Sequence, residues 1–89
     1  MPYCTEEAKH RIDHGNQPQN VGELTYKLTS VIQAYLHEHG LRYQQVAEIS
    51  GALHQCSRDF DERIVMPYEA TKVAENGDVW DSSLIATNR

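Results

Sequence analysis

Arg58, Arg63, Tyr68 and Lys72 gather around a single proline, Pro67, and Tyr26 and Tyr3 are further aromatics. Guanidinium forks bind phosphate and aromatic rings stack on bases, so these types could build a nucleotide pocket shared between subunits. A plainer account uses the same residues. Arg63 and Lys72 pair with Glu69 and Glu75 on a solvated face, while the tyrosines fill an interface. From the residues alone the plainer account is favoured.

Other reactive types are present without the spacing that chemistry needs. His10 and His14 lie four apart and His37 and His39 two apart, but zinc takes three or four converging ligands, so exposed histidines are the better reading. Cys56 stands two residues from His54, and positions two apart on a helix do not face each other. Asp59, Asp61 and Glu62 alternate with Arg58 and Arg63, the pattern of a salt-bridged, solvated face. No catalytic residue, metal set or cofactor motif emerges, and the chain reads as a binding protein rather than an enzyme.

The elements that must position these groups are helical. Segment 5–13 begins with a capping threonine followed by Glu6 and Glu7, but its apolar face is only Ala8 and Ile12. It predicts a short helix that lies on something else. Residues 14–20, HGNQPQN, have loop composition. Asn20 with Glu23 resembles a capping box, and Leu24, Leu28, Val31, Ile32, Tyr35 and Leu36 then recur at helical spacing, predicting a helix over 21–39 closed by a left-handed Gly40. Val46, Ile49, Leu53, Cys56 and Phe60 form a second, narrower stripe on a helix over 42–76, where Cys56 reads as a small buried residue.

So short a connection predicts an antiparallel helical hairpin, an all-α fold. Gly51 marks either a close backbone approach or a tolerated glycine. Pro67 removes a donor and crowds the Arg63 carbonyl, so the second helix should kink there and continue to Asn76-Gly77. The tail, 78–89, keeps Val79, Trp80, Leu84 and Ile85 and should dock on the hairpin or on a neighbouring subunit.

Composition limits what such a fold can do. Eighty-nine residues make one domain, and a chain this short buries only about 60% of its unfolded surface. A hairpin cannot cover both of its apolar faces, so a homo-oligomer is expected. Thirteen acidic against eight basic residues, a formal charge of −5, disfavour a nucleic-acid polymer but leave room for one small anionic ligand. No apolar run reaches the roughly 20 residues of a membrane span. Two cysteines in dissimilar contexts, without a secretion signal, read as reduced thiols of a cytoplasmic protein.

Several motifs resemble a family of small uncharacterised proteins from phages and bacteria. They are Met1-Pro2-Tyr3, Gly22-Glu23-Leu24-x-Tyr26, Gly51-x-Leu53, Phe60-x-x-Arg63-x-Val65-x-Pro67-Tyr68-Glu69, Lys72 and Glu75-Asn76-Gly77-Asp78-Val79. Thr25 departs from the usual asparagine, and Asp61-Glu62 from an aromatic and an arginine. More faintly, a hairpin ending in Arg-x-Val-x-Pro is similar to the oligomeric helical sponges with which phages sequester cyclic-nucleotide immune signals. That similarity implies Arg63 and Lys72 on phosphate, Tyr68 or Tyr26 on a base, and Arg58 as a weaker contact. The alternative expectation is a protein-interaction module, such as an inhibitor of a host protein, with no small-molecule ligand.

Overall fold

The computed structural model describes residues 4–81, 83 and 84, and every regular element among them is helical. The chain divides into two compact units, Met1–Ile49 and Ser50–Arg89.

Within the first unit, α1 (Glu6–Asp13) starts where the Thr5 hydroxyl accepts from the Ala8 N–H at 3.1 Å. Its two apolar residues, Ala8 and Ile12, are the buried hydrophobic side chains among the described residues. They face α2 (Val21–His39), on which α1 packs. At the head of α2 the Asn20 side chain accepts from the Glu23 N–H at 2.9 Å. Glu23 reaches back one residue further than the usual box, accepting from the Gln19 N–H at 2.9 Å, while its other carboxylate oxygen lies 2.8 Å from Arg11 Nη2.

A carboxylate only 7% exposed needs such partners, because burying an unpaired charge is costly. The Arg11 guanidinium, then the Gln19 amide, hold the Glu23 carboxyl below the usual carboxylate range. Beside this joint the Tyr26 hydroxyl donates to both oxygens of Asp13, at 2.9 and 3.0 Å.

Gly40 closes α2, its N–H donating to the Leu36 carbonyl at 2.7 Å. Its φ of 93° is positive as expected, but its ψ of 158° lies outside the left-handed helical region, in a part of the map open essentially to glycine alone. Across the short connection the Tyr35 hydroxyl donates to Glu48 Oε1 at 2.8 Å, and Gln44 donates to the other oxygen.

Helix α3 (Tyr43–Phe60) passes without interruption into a π-turn, Asp61–Val65, and then into α4 (Met66–Asn76). The irregularity expected at Pro67 thus lies before it. The Met66 N–H bonds to the carbonyl of Asp61, five residues back, and Pro67 falls in the first turn of α4, where a missing donor costs least. The wider turn relieves the crowding between the proline ring and the Arg63 carbonyl. Its extra residue also rotates everything downstream by about 100° relative to the α3 stripe. Gly77 ends α4 as Gly40 ends α2, with φ 85° and ψ 163°.

Most of the residues on the apolar stripes are exposed, while Ile32, Leu36 and Ile49 are half-buried. Leu24, Leu28 and Val31 of α2 are 48%, 52% and 58% accessible, and Val46 and Leu53 of α3 are 50% and 47%. Cys56 is exposed rather than buried as a small residue of the stripe. A Cβ on Gly51 would meet nothing within 4 Å, the tolerated glycine of the two readings. Val79, Trp80 and Leu84 are exposed too, so these tail residues do not bury themselves on α4; Ile85 lies outside the described residues.

Two predictions follow the joint and the π-turn. Glu23→Gln lowers the melting temperature at pH 7. Because the Glu23 pKa is depressed in the fold, its contribution is present above the ordinary carboxylate range and is lost as pH falls through the folded value. Circular-dichroism melts from pH 7 to 3 should therefore show the gap between variant and parent closing on acidification; a constant gap contradicts the assignment. Pro67→Ala restores a donor to Arg63 and stabilises the helix by at most about 3 kcal/mol. Scalar couplings across hydrogen bonds should move the Met66 amide's partner from Asp61 to Glu62; retention of the Asp61 partner would show that the proline is not the cause of the π-turn.

Candidate functional site

Four of the five residues suggested as ligand contacts belong to the second unit. Tyr68 and Lys72, one helical turn apart on α4, are brought together, with Lys72 Nζ 5.5 Å from the centre of the Tyr68 ring. The same ammonium lies 3.5 Å from Glu75, the pairing that the plainer account expects. Arg58 is engaged by Glu62 at 3.4 Å on an exposed face. Arg63, in the π-turn, has no ion pair or hydrogen-bond partner for its side chain among the described residues, so its expected pairing with Glu69 is not made.

Tyr26 belongs to the first unit and has a structural task there. Its hydroxyl is held by Asp13, whose carboxylate raises the phenol above its ordinary range, and Lys9 Nζ lies 5.9 Å from its ring. Tyr3 lies outside the described residues.

One concavity in the second unit is a feature that residue-by-residue reading missed. Met66, Glu69, Lys72, Val73 and Asn76 of α4, with Gly77, Asp78, Val79 and Trp80 of the following turn, line an open cleft of about 730 Å3. The turn is set by Asp78, whose Oδ1 accepts from the Trp80 N–H at 3.0 Å. The signal was present in Asn76-Gly77-Asp78-Val79-Trp80, which reads as a helix stop plus an apolar tail. What a linear reading lacks is the return of Trp80 toward the last two turns of α4. A smaller hollow of about 420 Å3, lined by Gln33, Leu36, His37 and Leu41, sits at the end of α2.

The cleft's charges matter for its chemistry. Glu69 and Asp78 oppose a phosphate there, and Lys72 is already paired with Glu75. Among the described residues no group of three or more His, Cys, Asp or Glu converges as metal ligands do, and no helix is long and apolar enough to cross a membrane.

No curated protein and no solved structure matches the chain. A family profile does, over residues 1–79, which include the Gly22–Tyr26 motif, the π-turn and the Pro67 segment as far as Val79. The chain belongs to that family, DUF6899, described as a domain of unknown function.

Proposed function

We propose that the chain is a non-enzymatic association module, one helical domain that completes its core as a homo-oligomer by covering the α2 and α3 stripes, with these helices arranged as a hairpin in the assembly. The observation that carries this reading is the contrast between two buried hydrophobic side chains and the row of half-exposed leucines and valines on α2 and α3. Burying one such side chain contributes about 1.5–3 kcal/mol. A few per subunit outweigh the cost of association. Acting through an assembled surface, such a module suits the role of an interaction partner or inhibitor of a host protein in the cytoplasm of a phage-infected cell.

A second reading is favoured by Arg63, whose side chain has no partner among the described residues, and by the Tyr68–Lys72 contact. In it the assembly is an anti-defence sponge. It holds a cyclic-nucleotide signal between subunits, with Arg63 and Lys72 on phosphate, Tyr68 or Tyr26 on a base and Arg58 at the margin. Lys72 must then exchange Glu75 for the ligand, a surface pair whose loss costs about 1 kcal/mol or less.

Sedimentation velocity over a hundredfold concentration range should show the parent chain as an oligomer and Leu28→Asp or Leu53→Asp shifted to monomer with helix content retained. A parent chain that is monomeric throughout contradicts the association reading. Calorimetry with cyclic dinucleotides and cyclic ADP-ribose isomers separates the two readings. Saturable binding that Arg63→Ala weakens about tenfold or more supports the sponge. A blank panel removes it and leaves the protein-interaction role.

A further inference from the structure

The cleft between α4 and the turn after Gly77 shares only Lys72 with the contacts named for those readings, and its lining is chemically selective. Met66, Val73 and Val79 give it apolar walls, and Trp80, 65% exposed, supplies an indole. Glu69 has no ion pair or side-chain hydrogen bond among the described residues. Asp78 uses Oδ1 for the Trp80 N–H, and its second oxygen has no partner among the described residues. Lys72, the cation among the described lining residues, is matched by Glu75 at 3.5 Å.

We propose that this cleft is a docking site for a basic side chain, arginine or lysine, presented with an apolar neighbour by a segment of a partner protein. Charge complementarity chooses the occupant. Phosphates and acidic peptides meet Glu69 and Asp78 with the same sign, whereas a guanidinium or ammonium is attracted to them and to the indole face. The aliphatic stem of either side chain and an adjacent leucine-like residue lie on Met66, Val73 and Val79, apolar surface that a small inorganic cation would leave wet. Tryptophan and arginine are both enriched among the residues that dominate the energy of protein interfaces. The surface is distinct from the α2 and α3 stripes, and its occupation does not depend on self-association.

Trp80 is the single tryptophan, so its fluorescence reports on the cleft directly. The test titrates the full chain with an acetylated, amidated peptide of alternating arginine and leucine, and with the matching glutamate and leucine peptide. The expected result is a saturable change in Trp80 emission with the basic peptide alone, weakened about tenfold or more by Glu69→Gln, a solvent-facing change whose folding is checked by circular dichroism. Asp59→Asn, which removes the same charge away from the cleft, should alter the affinity by less than about twofold, since an exposed, distant charge is screened. The proposal is overturned if emission does not change, if the two peptides act alike, or if Glu69→Gln and Asp59→Asn weaken binding equally, which would mark general attraction to an acidic protein.

Discussion

Arg11 and Glu23 meet at 2.8 Å across the joint of α1 and α2, and this pair sits over the small amount of apolar interior that the chain encloses, Ala8 and Ile12. The weak helix α1 is fixed there together with the Tyr26 hydroxyl, which donates to the Asp13 carboxylate. Its two apolar residues supply contact, and the buried Glu23 carboxylate collects a guanidinium, the Gln19 amide and the cap of α2 at one point. Beyond that joint most of the apolar side chains described on α2, α3 and α4 are exposed. A structure so arranged is held locally by its caps and backbone bonds, and the proposed assembly would supply further hydrophobic stabilisation.

Pro67 is accommodated by the same local logic. A proline inside a helix forfeits one bond and clashes with the carbonyl four residues back. Here the backbone answers with a π-turn over Asp61–Val65, so the helix continues from Tyr43 to Asn76 while its register slips by a residue. That slip brings α4 a face of its own. Tyr68 and Lys72 share one part of it, and Met66, Glu69 and Val73 line the cleft with Trp80.

Much of this was legible in the order of the residues, because it is local. Thr5 and Asn20 are caps that bond within three residues, and the apolar spacing of α2 needs only its own turn to be recognised. Gly40 and Gly77 were legible as helix ends, though their extended ψ values were not, since a glycine is silent about which glycine-only region it occupies. The Arg11–Glu23 pair was not legible: the two residues are separated by a loop, and either one reads as a solvated surface charge. Nor was the π-turn, because a proline announces a disturbance without saying on which side the helix absorbs it. Among the site residues, the Tyr68–Lys72 contact follows from their spacing of four. The attachment of Tyr26 to Asp13, and the cleft formed by Trp80, depend on chain reversals that linear patterns do not encode.

The account's central claim is that the stripes of α2 and α3 are covered only in an assembly. Amide hydrogen exchange, followed residue by residue across a dilution series, tests this most directly, because protection tracks the free energy of opening each helix. The account predicts that amides along 28–36 and 46–56 lose protection on dilution while those of the Ala8–Glu23 joint change less. Protection of all these amides that is the same at every concentration, in a chain of monomer mass, would contradict it.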